Sequence, residues 1–205
     1  QGEVEVVPNG VDAEVFDREL SKEEKENAER LIEKKENEKI LITTSRLVKK
    51  NAVDIIIQSL TYLPKNFKLI IAGQGEEEDN LRGLTKKLNL ENQVKFTGFI
   101  PYEDLPPLLK ASDIFIRPSR SEGLGNSFLE AMAVGIPVIG TPVGGIPDFL
   151  KDRETGLIVE VDNPKDLAEK VKVLVKDSEL RKRIIENAKG LVTEKYSWVS
   201  ISKTM

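Results

Sequence analysis

A chain of 205 residues suits one large domain, or one domain with appended helices. Its net charge of −4 gives no positive field for nucleic acid, and the absence of cysteine and histidine excludes disulfides, thiolate catalysis and zinc sites built on imidazole. No apolar run approaches the ~20 residues of a membrane-spanning helix and no signal-peptide pattern opens the chain, so we expect a cytoplasmic protein without metal or cofactor.

Apolar runs and helical patterns alternate along the chain. Six runs predict buried strands, at 39–45, 67–73, 93–98, 113–118, 136–141 and 156–159. Helices are predicted at 52–63, 77–88, 102–111, 127–134, 146–151, 165–176 and 178–193, and the charged stretch 21–39 is most simply a solvated helix. This order predicts a doubly wound parallel sheet, a Rossmann-like α/β fold with its ligand crevice at the carboxyl ends of the strands.

The segment after the fourth predicted strand is the most informative. Glycines at 123 and 125 form a turn, and an apolar helix opens near Ser127. Such a helix start leaves backbone N–H groups unpaired and suits an anion, above all phosphate. Glu122 precedes the turn and Glu130 lies near the first turn of the helix, where carboxylates can accept hydrogen bonds from hydroxyls. The pattern predicts a sugar-nucleotide pocket; the alternative is that the glycines only make a turn.

The same segment resembles the signature of the group 1 retaining glycosyltransferases, whose GT-B fold has two Rossmann-like domains. That signature is Glu, seven residues, Glu, and then Ala-Met-Ala-x-Gly-x-Pro-Val, and residues 122–138 match it. The resemblance implies the following donor-binding set: Arg46, Lys50, Asn51, Gly98, Phe99, Ile100, Glu122, Gly123, Leu124, Gly125, Asn126, Ser127 and Glu130.

The resemblance also implies roles within this set. Arg46 and Lys50 would neutralise the leaving diphosphate, together with the backbone amides of 125–127. Glu130 would accept the ribose hydroxyls, and Glu122 the hexose hydroxyls near the reacting carbon. Arg46, Lys50 and Glu122 are thus the residues implicated in catalysis. The family is generally thought to react on one face of the sugar with the donor phosphate as base, a point that the sequence does not decide.

The loop after the first strand departs from the family pattern. Arg46 matches the family's arginine, but the usual lysine position falls on Asn51 and the usual glycine on Ala52. Lys50 comes one residue early, so Lys49, Lys50 and Asn51 all stay open as the second phosphate-binding position. Fixed cations would assist the reaction because the departing diphosphate gains negative charge in the transition state. A solvated basic loop is the alternative.

Three further turns follow predicted strands. The Gly-x-Gly at 73–75 lacks a third glycine and precedes an acidic run, so we reject it as a dinucleotide fingerprint and leave it a supporting role. By resemblance, the backbone after Gly98 would meet the nucleotide base; Phe99 would stack on the base or belong to the core. The paired glycines 144–145 either allow a close backbone approach near the sugar or make a tight turn.

Both ends of the chain resemble crossings to another domain. We predict a linker at 1–12, a nucleotide-sugar-binding domain at 13–193, and at 194–205 the start of a helix that returns to an N-terminal domain. Trp198 fits that helix, or alternatively anchors it on this domain's own surface. In the family the N-terminal domain binds the acceptor and supplies a histidine. An acceptor sugar, glycan or lipid, and any contact with a membrane surface, would therefore depend on that domain.

We expect the donor-binding domain of a retaining, metal-independent hexosyltransferase that uses a UDP or GDP sugar and is inactive alone. One alternative is a non-catalytic nucleotide-sugar-binding or interaction module. Another is a GT-B-type sugar-nucleotide epimerase, which needs acid–base residues, commonly histidines, that this chain lacks. The sequence identifies neither base, hexose nor acceptor. Its abundant Lys, Glu and Ile suggest a thermophilic source.

Overall fold

Six parallel strands form one sheet in the described part of the chain, residues 9–204 of a computed structural model. The sheet order is β3-β2-β1-β4-β5-β6. Each strand begins and ends within two residues of its predicted bounds. Because all six strands are parallel, the predicted parallel sheet is confirmed. The strands are β1 (Lys39–Thr44), β2 (Phe67–Ala72), β3 (Val94–Gly98), β4 (Ile114–Arg117), β5 (Val138–Gly140) and β6 (Leu157–Ile158).

Helices cover both faces of this sheet. Those of the described residues are α1 (Ala13–Asp17), α2 (Lys22–Ile32), α3 (Val53–Ser59), α4 (Glu78–Lys87), α5 (Leu105–Lys110), α6 (Asn126–Val134), α7 (Pro164–Lys176), α8 (Ser178–Leu191) and α9 (Trp198–Thr204). The doubly wound α/β fold predicted from the alternating pattern is therefore confirmed.

Several helix predictions were wrong in detail. The helix predicted at 146–151 is only the 3-10 turn Ile146–Asp148, because the backbone leaves the helical region at Phe149, whose side chain is buried in the core. The charged helix predicted over 21–39 ends at Ile32, where Glu33 turns into the left-handed region. The helix predicted at 178–193 ends at Leu191 and continues as a π turn, and α1 was not predicted.

Two other predicted helices combine different helical types. The helix predicted at 52–63 is α3 followed by the 3-10 turn Leu60–Tyr62. The one predicted at 102–111 opens with the 3-10 turn Tyr102–Asp104 before α5. In both cases the apolar periodicity is met, because i+3 and i+4 spacing place side chains on nearly the same face.

The core lies in two layers, one on each face of the sheet. In β1, Leu41 packs into one layer, while Ile40 and Ile42 pack into the other. Side chains alternate across a strand, so a strand with helices on both faces must be apolar throughout. The two layers hold the carboxyl ends of the strands in fixed relative positions.

The site is positioned by the strand order at the centre of the sheet. β1 pairs with β2 on one side and with β4 on the other, where Leu41 lies opposite Ile114. The chain therefore winds outward in both directions from β1 and β4. Loops that leave the carboxyl ends of these neighbours diverge, and the crevice between them is where doubly wound sheets bind ligands.

The two ends of the described chain lie side by side. The Val11 amide donates to the Tyr196 carbonyl at 2.8 Å, and the Trp198 amide donates to the Val11 carbonyl at 3.2 Å. Residues 1–8 of the predicted linker and Met205 lie outside the described residues, and the domain bounds stay predictions. Within residues 9–204 no helix is long and apolar enough to cross a membrane.

Candidate functional site

A cleft of about 290 Å³ lies at the carboxyl edge of the sheet. The ends of β1 and β2, the loop after β3, α5 and the first turns of α6 surround it. Five of the predicted donor-binding residues line it, namely Arg46, Phe99, Ile100, Ser127 and Glu130. The lining is completed by residues outside the predicted set: Thr44, Ser45, Ala72, Gly73, Gln74 and Leu105.

The N-terminus of α6 presents free backbone donors beside this cleft. Gly125 caps the helix with a φ of 77°, a left-handed conformation that glycine adopts readily. The first turn closes when the Phe128 amide donates to the Gly125 carbonyl at 2.9 Å. The amides of Gly125, Asn126 and Ser127 donate to none of the described residues. Three free N–H groups at a helix N-terminus suit an anion, as predicted from the glycine turn.

Arg117, which was not among the predicted site residues, lies directly behind the cleft. It ends β4, and its guanidinium donates to Ser127 Oγ at 2.6 Å and to Ser119 Oγ at 3.4 Å. The same group contacts Asn51 Oδ1 at 3.4 Å and forms an ion pair of 2.7 Å with Glu122 Oε2. A charged residue at the end of an otherwise apolar strand was the signal that could have marked it.

Glu122 is held by its neighbours rather than open to solvent. Besides the Arg117 ion pair, its carboxylate accepts from Ser119 Oγ at 3.3 Å and from the Gly123 amide at 3.3 Å. The side chains of Arg117 and Glu122 are only 12% and 9% exposed. Neither belongs to the lining of the cleft: Arg117 reaches it through Ser127, and Glu122 is paired with Arg117. Leu124, in the same loop, packs against the core.

Glu130 is a carboxyl group without a hydrogen-bond partner among the described residues, and it lines the cleft. Burial raises the pKa of Glu130 to about 7, although the charge of Arg117 opposes the shift. Near neutral pH the group is thus divided between its acid and its carboxylate. An unpaired carboxyl group in a cleft is ready to bind the hydroxyl groups of a ligand.

Three hydroxyl groups at the end of β1 are also unsatisfied. Thr43 Oγ1, Thr44 Oγ1 and Ser45 Oγ are buried and have no hydrogen-bond partner within residues 9–204, and of the three residues Thr44 and Ser45 line the cleft. A buried hydroxyl without a partner costs about 1–3 kcal/mol, which a bound polar ligand can recover. Together with Glu130, these hydroxyl groups give the cleft polar groups that are unpaired and available to a ligand.

The cations after β1 are placed differently from one another. Arg46 is exposed at the cleft, whereas Lys50 is exposed outside its lining, and neither forms an ion pair with a described residue. Asn51 is 2% exposed and braces the loop, because its Nδ2 donates to the Arg46 carbonyl at 2.6 Å. Ala52, at the position where the family resemblance implies glycine, has a φ of 53° and is left-handed.

Arg120 ties the loop after β4 to the loop after β1. Its guanidinium binds the Asp54 carboxylate through both nitrogens, at 3.0 and 2.7 Å. It also donates to Asp162 and to the Lys49 carbonyl at 2.6 Å, while its backbone amide donates to the Lys50 carbonyl at 2.7 Å. The loop that carries Glu122 is therefore fixed to the loop after β1.

The paired glycines after β5 pack against the same loop. The Gly145 amide donates to the Gly123 carbonyl at 2.8 Å, and a Cβ at Gly144 would lie 1.8 Å from the Glu122 carbonyl oxygen. The paired glycines were predicted to allow a close backbone approach or to make a tight turn. The structure shows a close approach of their backbone to the loop that carries Glu122. A side chain here would displace Glu122 from Arg117.

This cleft lies within a stretch that matches a known family. The model of the glycosyl transferases group 1 family matches residues 24–191. The chain belongs to the group 1 glycosyl transferases. It is 36% identical to an uncharacterized glycosyltransferase of Methanocaldococcus jannaschii over 99% of this chain and 53% of that protein. It is 34% identical to N-acetyl-alpha-D-glucosaminyl L-malate synthase of Bacillus anthracis over 95% of this chain and 50% of the relative.

The fold agrees with solved members of the GT-B class. A crystal structure of Anabaena HepE with UDP and glucose superposes with a TM-score of 0.89 and 25% identity, over 98% of this chain and 55% of that one. The chain thus spans about half the length of the relatives it matches and corresponds to their C-terminal half. Within its described residues, no group of three or more acidic side chains is gathered as a metal site requires.

Proposed function

We propose that this domain binds a nucleoside-diphosphate sugar and forms the donor half of a retaining, metal-independent hexosyltransferase. The observation that carries the proposal is the convergence on one cleft of free α6 amides, an unpaired Arg46 and an unpaired Glu130. A diphosphate needs the first two, and a ribose needs the third. The HepE structure contains UDP and glucose, which supports a nucleotide sugar as the ligand class.

The proposed roles follow the positions of the groups. The amides of Gly125, Asn126 and Ser127 bind the diphosphate at the α6 N-terminus, and Arg46 binds it from the opposite wall. Lys50 adds positive charge at the rim. Because negative charge on the leaving diphosphate grows in the transition state, these groups lower the barrier as well as binding the donor.

The nucleoside and the hexose lie on opposite sides of the diphosphate in this proposal. Glu130 accepts the ribose hydroxyls, and the backbone after Gly98 meets the base. Phe99, whose side chain is 70% exposed, offers a stacking face. The Glu122 loop lies behind the other end of the cleft, where the hexose would sit.

The proposed stereochemical course also rests on Glu122. A double displacement needs a carboxylate free to attack the sugar carbon, whereas Glu122 is engaged by Arg117, Ser119 and the Gly123 amide. Reaction on one face, with the donor phosphate as base, requires no such nucleophile. The same arrangement needs no metal, since the cations and amides supply the positive charge.

Calorimetric titration tests the proposal. The chain should bind UDP, GDP or ADP sugars weakly, and addition of EDTA should not change the affinity. The nucleosides and free hexoses serve as controls and should bind far more weakly, since they lack the diphosphate. If no nucleotide binds at millimolar concentration, or if binding needs a metal, the proposal is wrong.

The transfer reaction itself should need a further domain. The exposed Trp198 and Val199 on α9 suit contact with one, and an acceptor and any membrane surface would be met there. Without a second cleft wall, neither acceptor positioning nor exclusion of water is complete. We therefore expect no appreciable transfer by this chain alone. Sustained transfer at ordinary enzyme rates would instead show a complete active site.

A further inference from the structure

Arg117 is a buried cation that lies one side chain away from the cleft, and its role there rests on the proposed function. Its Nη1 donates to Ser127 Oγ at 2.6 Å, and Ser127 is the second residue of α6 and part of the cleft lining. Its charge is therefore directed at the helix N-terminus from behind, where no bulk solvent lies between to screen it.

The balance of charge around the cleft depends on this residue. Two carboxyl groups, Glu122 and Glu130, lie near the α6 N-terminus, and Arg46 is the cation in the cleft lining. Without Arg117, an unpaired buried Glu122 and a partly ionised Glu130 would outweigh the exposed Arg46. A diphosphate carries two or more negative charges, so this balance would weaken its binding. With Arg117 the sum over these four groups becomes positive, before the exposed Lys50 outside the lining is counted.

The position of Asn51 reinforces this point. Its Oδ1 lies 3.4 Å from Arg117 Nη2, so the guanidinium fills the space that a long side chain at position 51 would otherwise enter. Lys50, the neighbouring cation, is exposed and lies outside the cleft lining. Of the cations near the α6 N-terminus, Arg117 is the one that the fold buries and fixes.

We infer that Arg117 supplies the second positive charge of the diphosphate site, from β4 rather than from the loop after β1. It does so by neutralising Glu122 and by facing the α6 N-terminus through Ser127. The other reading is that Arg117 only braces the Glu122 loop. A lysine at position 51 distinguishes the two roles of Arg117. Such a lysine can replace the charge of Arg117, but it cannot replace the contacts of the guanidinium with Ser119 and Ser127.

The experiment measures UDP and UMP affinities of the chain by calorimetry, in four proteins. These are the wild type, Arg117→Gln, Arg117→Lys and the double variant Arg117→Gln/Asn51→Lys. Gln keeps hydrogen-bond donors without charge, and Lys keeps charge without the planar fork. Arg120→Gln is the matched control, because Arg120 braces the same loop through Asp54 and Asp162 but does not contact Ser127 or Glu122.

We expect Arg117→Gln to weaken UDP binding about tenfold or more, as loss of a charge-assisted contact does. The loss should be smaller for UMP, which carries less charge. Arg117→Lys should lose less than Arg117→Gln, and adding Asn51→Lys to Arg117→Gln should restore most of the affinity. Arg120→Gln should change the UDP and UMP affinities by the same small factor.

Two results would overturn the inference while the proposed function stood. One is a wild-type UDP affinity in folded Arg117→Gln. The other is an equal loss in Arg117→Gln, Arg117→Lys and the double variant, which would indicate a brace. If Arg117→Gln does not fold, the UDP affinities of Arg117→Lys and of the double variant are compared instead. If Arg117 only braces the loop, the double variant should not bind UDP. Absence of all nucleotide binding by the wild type would instead remove the proposed function, and this inference with it.

Discussion

The two edges of the sheet each carry a groove, and the larger of them is not the candidate site. The groove at the amino edge has a volume of about 590 Å³, against about 290 Å³ for the cleft at the carboxyl edge. In the amino-edge groove four of the lining charges form ion pairs, Lys68 with Glu38 at 3.2 Å and Lys95 with Glu33 at 2.6 Å, while Lys35 and Glu91 form none with a described residue. In the cleft, Arg46 and Glu130 have no partner among the described residues.

The same contrast is visible in two glutamates. The Lys95 ammonium lowers the pKa of Glu33, because that exposed carboxylate already has its counter-ion. Burial raises the pKa of Glu130, which has none. A carboxylate that already has its counter-ion has little to offer a ligand. The smaller cleft keeps unpaired amides, hydroxyls and charges. The presence of unpaired polar groups therefore distinguishes the candidate site better than its volume does.

The largest expected effect is that of Arg46→Ala on nucleotide binding. Arg46 is the cation in the cleft lining, and its loss should weaken UDP or GDP binding by about 1.5–3 kcal/mol, roughly 10- to 150-fold. Lys68→Ala, in the amino-edge groove, is the matched control and should leave the affinity unchanged. Titration calorimetry on both variants checks this. Equal losses in both variants would remove the functional distinction between the two edges.

Glu130→Gln tests the unpaired carboxyl group through stability. The folded protein holds the Glu130 proton more tightly than the unfolded chain does, because the pKa rises from 4.5 to about 7 on folding. Wild-type stability is therefore lost as pH rises from about 4.5 through about 7, a loss that glutamine does not suffer. At pH 8 the free energy of unfolding of Glu130→Gln should exceed that of the wild type by about 1–3 kcal/mol. This difference should shrink towards pH 5.

Urea unfolding at pH 5 and pH 8 measures this difference. Glu33→Gln is the control from the other edge: its carboxylate has a lowered pKa, so its removal should give no gain at pH 8. A constant difference between Glu130→Gln and the wild type at both pH values would show that Glu130 is not protonated on folding. The contrast between paired and unpaired carboxylates would then fail.

The sequence predicted the fold well for a local reason. Each buried strand is a short apolar run such as 67–73, and the helical patterns between the runs are amphipathic, so both signals lie within a few neighbouring residues. The helix predicted at 146–151 failed because tertiary packing of Phe149 overrides the local pattern. The Glu-x7-Glu segment was likewise a local signal, and it identified the α6 N-terminus and Glu130 in the cleft.

The parts of the site that were missed depend on contacts that only the folded chain shows. The charge that ends β4 was a local signal for Arg117, but its contact with Asn51 spans 66 positions of the chain, and no local pattern indicates that contact. Thr44 and Ser45 look like an ordinary strand end until the structure shows that their hydroxyls are unsatisfied. The spacing of Lys50 from Arg46 likewise could not show that its side chain lies outside the cleft lining.

The smallest expected effect concerns the pair Lys50 and Lys49. Lys50 is exposed at the rim, so its charge reaches a bound diphosphate largely through solvent, where each interaction is worth below about 1 kcal/mol. Lys50→Ala should weaken UDP binding about two- to fivefold at low salt and less at high salt. Lys49 lies in a separate groove with Asp54 and Arg120, and Lys49→Ala should be silent.

Calorimetry at two salt concentrations separates the possible results, with Arg46→Ala as the upper reference. A loss in Lys50→Ala as large as that in Arg46→Ala would mean that the loop moves on binding and carries the ammonium into the cleft. Lys50 would then share the role that we assign to Arg117. A loss in Lys49→Ala alone would place the diphosphate nearer Asp54, on the far side of the loop. At high salt we expect neither variant to change the UDP affinity, because solvent ions screen an exposed lysine. If neither variant changes the affinity at low salt either, then Arg46, Arg117 and the α6 amides bind the diphosphate without the two lysines.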